Sequence, residues 1–494
     1  MPCETSAAHF GRHRCNKMRG RGAFKTILSR LEFCGSGLGE RRPLLPLQLS
    51  SRRRGVGILQ AKMHTLWRSG IAVVCVLVLV FSWPARCAAY SVLSHEAIID
   101  SAWDTNIKAV LLKRFSLATV DELSQAHGYA YGGAIIQDLG YYPHGSILFS
   151  DLTHYVRSGD FVLAMLRDAQ GSNDLNDYAF ALGALAHYAA DIAGHPLATN
   201  RAVPLLYPKL KKKFGDIITY EDDPLAHVKT EFGFDVLEVA QQRYASDSYH
   251  DFIGFQVARP LLERAFQETY GLPLKAVLSD EDKVLNSYRR AVSNQIPKAT
   301  RIAWTLKKDE IQKDAPGITK RKFLYNLSRA SYEKQWGKNY QQPTFGEKLL
   351  AFLYKLIPKI GPLRVLQFRT PTPQTERMFE ASFNTTLDRY RVLLSDQAAG
   401  HLELINDNFD TGGMTGPGIY RMNDEAHAKL LNELSELNFS GASMELHAEM
   451  LEFYGHPDAA YATKRNHKAW AKVQSQLEQW NKVSPPVTAR LANE

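Results

Sequence analysis

His187–Pro196 reads HYAADIAGHP, and His227–Asp235 reads HVKTEFGFD. Both runs step by four: His187, Asp191 and His195 in the first, His227 and Glu231 in the second. Residues four apart on an α-helix differ by about 40° around its axis, so each run aims imidazole and carboxylate along one face. A single His-x3-Asp pair is most simply a hydrogen-bonded pair in a helical core. Two such runs between apolar helix faces, the second starting 40 residues after the first, point instead to a shared metal site. Imidazole and carboxylate are the ligands of zinc that acts on a substrate, whereas zinc that only holds a fold is rich in cysteine.

Outward from these runs the pattern stays helical. Apolar residues recur at three- and four-residue steps in 95–115, 151–168, 176–193, 223–245, 256–269, 281–306, 346–357, 375–396, 423–437, 443–454 and 468–482. Alternating strand patterns are scarce. Breakers lie between the segments: Gly132-Gly133, Tyr142-Pro143-His144-Gly145, Pro196, Pro204, Gly271-Leu272-Pro273 and TPTPQ at 370–374. The expected fold is all-α, a bundle with a C-terminal helical extension over 276–494. Every candidate ligand lies before residue 235, so a boundary near 275–310 is expected and the later half reads as chemically quiet. The stretch LKKDEIQKDAPGITKRK (306–322) reads as a solvated linker, and NDNFDTGG (406–413) as a turn. The latter alternates oxygen ligands as a calcium loop does, but lacks that loop's glycine and distal glutamate.

The basic character of the chain sits at its N-terminal end. Residues 1–62 hold 13 Lys and Arg against 3 Asp and Glu, with no helical or strand period. Met63 then opens MHTLWRSGIAVVCVLVLVFSWPARCAAY: a basic start at Arg68, an apolar run and small residues at Cys87–Ala89. That is the pattern of a secretory signal over 63–89 with cleavage after Ala89, and the run is short of the ~20 residues of a spanning helix. Met63 therefore reads as the start of the protein, and 1–62 as an over-extended, disordered N-terminus. The expected location is secreted or periplasmic. The net charge of +9 becomes −3 for residues 90–494 alone, which argues against nucleic acid as a partner. All five cysteines (Cys3, Cys15, Cys34, Cys75, Cys87) precede residue 90, so the mature chain has neither disulfides nor thiolate ligands.

Three upstream residues extend the set: His95 in YSVLSHEAIID, Asp138 in AIIQDLGYYP and His154 in SDLTHYVRSGDF. Alone they read as a helix-start residue, a turn residue and a core histidine. With Tyr90 in front, the ordered pattern is an N-terminal aromatic, His, Asp, His, His-x3-Asp, His and His-x3-acid. Over about 90–245 this resembles the zinc-dependent phospholipase C family, whose helical relatives include the single-strand nucleases and the glycosylphosphatidylinositol-specific phospholipase D catalytic domain. The last is the nearest in pattern, since it too places a His four residues after the Asp and follows the final His-x3-acid with an F-G-x-D-like run. Tyr90 stands where the bacterial phospholipases and the nucleases use Trp, and His195 follows Asp191 by four residues where those branches use six. Pro196 is expected to end the helix there.

The resemblance implies three Zn2+ ions. One would take Asp138, His154, His187 and Asp191. A second would take the α-amine and carbonyl of Tyr90 together with His95, with Asp191 bridging. A third would take His195, His227 and Glu231. Asp138 would orient or deprotonate the attacking water. Asp151, Asp222 and Asp223 are close enough in sequence to support the ligating histidines. The activity so implied is phospholipase C- or D-like hydrolysis of a phospholipid head-group phosphodiester, with transient contact at a membrane surface. A single-strand nuclease of the same fold and a non-catalytic, zinc-stabilised binding protein are the alternatives; vesicles and single-stranded DNA, each with and without chelator, discriminate them.

Overall fold

In a computed structural model of the chain, the described residues are 92–240, 255–292, six positions between 296 and 313, 361–455 and 463–483. Tyr90, residues 1–62, the signal segment 63–89, most of the 306–322 stretch and the helix expected at 346–357 lie outside them. The order is α1 (Val92–Ala102), a π turn (Trp103–Ile107), α2 (Lys108–Arg114), α3 (Val120–Gly133), a 3-10 turn (Ile136–Tyr141), α4 (Ile147–Tyr155), α5 (Ser158–Ser172) and α6 (Leu175–Gly194). Then follow a π turn (His195–Thr199), α7 (Asn200–Leu206), α8 (Pro208–Phe214), α9 (Pro224–Ala240), α10 (Arg259–Tyr270), α11 (Leu274–Val277) and α12 (Glu281–Arg290). The C-terminal part adds α13 (Pro373–Ala399), α14 (Arg421–Glu436), α15 (Met444–Gly455) and α16 (His467–Val483). Among the described residues there is no strand, only an isolated bridge between Asp407 and Met414. The fold is all-α, as expected.

Side-chain caps set the helix starts. Thr119 Oγ1 accepts from the Glu122 N–H (3.3 Å) and Glu122 Oε2 accepts from the Thr119 N–H (2.8 Å), satisfying two amides that a helix end leaves without partners. Asp174 Oδ1 caps α6 by accepting from Asn176 N–H (2.7 Å) and Asp177 N–H (3.1 Å).

Helix α6 is the axis of the molecule. Every residue from Tyr178 to Gly194 is buried, as its run of Ala, Leu and Gly allows. Helix α3, which the sequence pattern did not anticipate, crosses it at backbone contact. A Cβ at Gly133 would sit 1.9 Å from Phe180 O, and one at Gly183 would sit 2.2 Å from Ala130 O. Gly133 therefore serves close helix–helix approach as well as ending α3. Helix α13 also packs on α6, and the Tyr390 hydroxyl donates to Leu182 O at 2.8 Å. Phe379, Leu430 and Trp480 belong to the same buried cluster as Ile98 and Phe180, so residues beyond 276 share this core.

Two local expectations are corrected. The segment 151–168 is not one helix: α4 stops at Tyr155 and α5 starts at Ser158, with Arg157 left-handed (φ 50°) between them. Arg157 is held there by Asp160 (2.9 Å) and Glu449 (3.3 Å). Nor does Pro196 end its helix. The chain continues through the π turn His195–Thr199 into α7. Pro196 has no N–H for the Ile192 carbonyl, and the wider turn accommodates its ring.

Candidate metal centre

Six elements bring the eight predicted side chains inward. His95 comes from α1, Asp138 from the 3-10 turn, His154 from α4, His187 and Asp191 from α6, His195 from the π turn, and His227 and Glu231 from α9. All eight are buried, none more than 3% exposed. Asp191 stands at the junction. Its Oδ1 lies 3.5 Å from His95 Nε2, and its Oδ2 lies 3.5 Å from His154 Nε2 and 3.2 Å from His187 Nε2. Asp138 Oδ1 is 3.3 Å from His154 Nε2, and the two Nε2 atoms of His154 and His187 are 3.4 Å apart. The ligand atoms of His95, His187 and Asp191 form one compact group and those of Asp138, His154 and His187 another, each within 4.8 Å.

The outer nitrogens of two rings are fixed by backbone carbonyls. His154 Nδ1 lies 2.8 Å from Ser150 O and His187 Nδ1 lies 2.9 Å from Ala134 O, so each ring turns Nε2 toward Asp191. The first bond is the i−4 carbonyl of the same helix; the second crosses from α6 to the end of α3. Asp151, Asp222 and Asp223 do not perform this role. Asp151 pairs with Lys429 (3.1 Å), Asp222 accepts from Thr219 (2.9 Å), and Asp223 caps Ala226 N–H (2.9 Å).

His195 and His227 form the third group. Glu231 Oε1 is 2.9 Å from His227 Nδ1 and 3.5 Å from His195 Nε2. On the opposite edges of both rings lies a residue the ligand pattern did not include. Asp410 Oδ1 is 3.6 Å from His195 Nδ1 and 3.4 Å from His227 Nε2. Asp410 belongs to NDNFDTGG, and its presence corrects the reading of the later half as chemically quiet. The segment is indeed a turn, with Asn408 Oδ1 accepting from Asp410 N–H (2.9 Å) and Thr411 N–H (3.1 Å). Gly412 (φ +66°) seats this turn on α6, where a Cβ would lie 2.6 Å from Ile192 O and 2.9 Å from Pro196 Cγ.

The electrostatics are those of a dense, buried acid–imidazole network. Burial works to lower the pKa of His154, but Asp138 and Asp191 outweigh it and hold it at about 10. Burial likewise opposes His227, which Glu231 and Asp410 hold at about 10. Burial works to raise Asp191, yet His187, His195 and His154 bring it well below the usual carboxylate range. Burial and then His187 push His95 well down, so its ring is neutral, the form that ligates.

A divalent cation fits this set. Asp138 Oδ1, both Asp191 oxygens, His227 Nδ1 and Glu231 Oε1 are buried without a hydrogen bond. Buried polar atoms without a bond are uncommon, and here each carboxylate oxygen lies 2.9–3.5 Å from a histidine ring nitrogen of the centre. The donors are nitrogen and oxygen only, as in zinc sites that act on substrates.

Residues 94–280 match the family model of zinc dependent phospholipase C. The phospholipase C match contains all eight predicted side chains and ends well before Asp410. No curated protein and no solved structure matched the chain. Beside the phospholipase C set, the structure adds Asp235 of the FGFD run, whose Oδ2 accepts from Leu93 N–H (3.1 Å) and Oδ1 from Ser94 Oγ (2.7 Å). It caps the start of α1, the helix that carries His95. Among the described residues no helix is long and apolar enough to cross a membrane.

Proposed function

We propose that the protein is an exported zinc-dependent phosphodiesterase that hydrolyses the head-group phosphodiester of a phospholipid. The observation that carries this reading is Asp191, one carboxylate whose two oxygens face His95 on one side and His154 and His187 on the other. Such a bridge suits a site with adjacent cations that hold the two ends of a phosphodiester. Asp138, His154, His187 and Asp191 would hold one zinc. His95, Asp191 and the amine and carbonyl of Tyr90 would hold a second, and His195, His227 and Glu231 a third. Zinc supplies positive charge to the phosphoryl and leaving oxygens and lowers the pKa of a water to about 7.

The chain's own residues do the rest. Burial raises the Asp138 pKa, against the pull of His154 and His187, which makes Asp138 a better proton acceptor. Its Oδ1 carries no hydrogen bond, and in this reading it orients the attacking water and takes its proton. His154 and His187 keep their rings in place through Ser150 O and Ala134 O. Two exposed apolar residues support a lipid substrate. Leu197 follows His195 by two and is 40% exposed, and Met414 follows Asp410 by four and is 73% exposed. Gly412 against Pro196 brings these segments to the same edge.

The test is hydrolysis of mixed phospholipid vesicles set against single-stranded DNA, each with and without a zinc chelator. Chelator-sensitive release of phosphorylated head group is expected. Cleavage of DNA alone would assign the site to a nuclease. Bound zinc with no turnover of either substrate would leave a zinc-stabilised binding protein.

A further inference from the structure

We propose that Asp410 is a positioning residue for the His195–His227–Glu231 group, supplied from outside the segment that carries every other side chain of the centre. This rests on the zinc reading above and extends it. Asp410 is 1% exposed. Its Oδ2 is fully used, accepting from the Tyr420 hydroxyl (2.6 Å) and the Tyr220 N–H (2.8 Å). Its backbone carbonyl accepts from Asn200 Nδ2 (2.7 Å). Only Oδ1 has no hydrogen bond, and it faces His195 Nδ1 and His227 Nε2. A buried oxygen left without a donor is destabilising. The seat built around Asp410 (an Asx turn, a left-handed glycine and two hydrogen bonds to Oδ2) holds that oxygen against the two rings.

The ligand atoms of His195, His227 and Asp410 also lie within 4.8 Å of one another, but the pattern of partners favours Asp410 behind the rings rather than on the metal. Asn200 bonds the Asp410 carbonyl through Nδ2, which leaves its Oδ1 2.8 Å from His227 Nε2. His227 Nε2–H is thereby committed, and His227 Nδ1 turns to Glu231 Oε1 at 2.9 Å. His195 matches it, with Nε2 toward Glu231 and Nδ1 toward Asp410. Ligating histidines commonly give their other N–H to a carboxylate or carbonyl, which fixes the tautomer and raises ligand basicity. Here Asp410 and Asn200 are that pair of acceptors. The 3.6 Å gap to His195 Nδ1 is a few tenths of an ångström beyond a hydrogen bond, a distance that a small ring rotation closes.

The experiment uses the full chain as wild type, Asp410→Asn and Tyr420→Phe. Each is stripped with chelator, checked for helix content by circular dichroism, and titrated with zinc against a fluorescent competitor. Zinc per chain is then counted by mass spectrometry. Asp410→Asn keeps the size of the side chain and its hydrogen bonds as an acceptor. It is expected to weaken one class of zinc site by about 10–100-fold, with the remaining sites and the metal-free helix content unchanged. Tyr420→Phe leaves the carboxylate but loosens it, and is expected to lower the same affinity by less; it carries the test if Asp410→Asn does not fold. Unchanged affinity and stoichiometry in the folded variants would overturn the proposal, as would an equal loss at every site. A zinc-loaded structure with Asp410 Oδ1 at ligand distance, about 2.0–2.2 Å, would overturn it too. A wild-type chain that takes up no zinc would overturn this proposal and the zinc reading together, so the two failures are distinguishable.

Discussion

Asp191→Asn offers a quantitative test of the shared carboxylate. Asn keeps the volume and one carbonyl oxygen but removes the charge and one of the two acceptors. In the structure those acceptors serve different neighbours: Oδ1 faces His95 at 3.5 Å, and Oδ2 faces His187 at 3.2 Å and His154 at 3.5 Å. A zinc ion in a four-ligand protein site binds with about 10–16 kcal/mol, or roughly 3–4 kcal/mol per ligand. Losing one charged ligand therefore weakens a site by about two to three orders of magnitude. Because one Asp191 oxygen faces His95 and the other faces His154 and His187, two sites of the proposed arrangement should weaken at once. Among the described residues Glu231 pairs with His227 and His195, so Glu231→Gln should weaken one. The assay is zinc per chain after equilibrium dialysis at a fixed free zinc concentration, with hydrolysis measured in parallel. The expected order is wild type, then Glu231→Gln, then Asp191→Asn, with added zinc restoring the second but not the third. Equal losses, both fully restored by zinc, would refute the bridging role.

Gly133→Ala places a methyl group 1.9 Å from Phe180 O, so α3 and α6 must separate; a loss of about 1–3 kcal/mol or more is expected, and an unchanged melting temperature would remove the close-crossing argument. Burial lowers the His427 pKa to about 4 where its ring stacks on Phe453 at 3.7 Å. The unfolded chain, with a His pKa of about 6.5, takes up the proton first as pH falls, so stability should decline between those two values by on the order of 3 kcal/mol. Denaturant midpoints of His427→Phe should lack that decline, and a slope equal to wild type would contradict the assignment. A chain extended before Tyr90 is expected to bind fewer zinc ions and hydrolyse phosphodiesters poorly until cleavage exposes the amine; full activity in the uncleaved protein would limit the centre to the ions that side chains hold. Asp235→Ala frees the start of α1 from its cap, and should lower zinc content while leaving the third group's affinity intact.

The converging side chains of the candidate centre were legible because helices impose a period. His187 and Asp191, and His227 and Glu231, announce a common face by spacing alone, and their neighbours confirm a helical core. Helix α3 was not legible. Gly132 and Gly133 look like breakers until Gln256 and α6 are laid against them, because what they provide is room for another backbone, that of Gln256 at Gly132 and that of Phe180 at Gly133. Pro196 misled for a related reason: the rule that a proline stops a helix assumes the α repeat, and a π turn relaxes it. Asp410 was hidden most deeply. Its local chemistry describes a turn, and a turn is what it forms. Its partners Asn200, Tyr220 and His227 lie some 200 residues earlier, a separation that no short-range pattern spans.

That separation has a temporal side. The chain emerges from the ribosome N-terminus first, so Glu231 is made 179 residues before Asp410. At about 5–20 residues per second, roughly ten to forty seconds pass in which His195 and His227 exist without the turn that backs them. A nascent chain of 280 residues would already hold every residue of the phospholipase C match and none of Asp410. In the proposed arrangement the third group is thus complete only in a chain translated well past the segment that matches the family model, which makes the tail of the molecule a late checkpoint on that group.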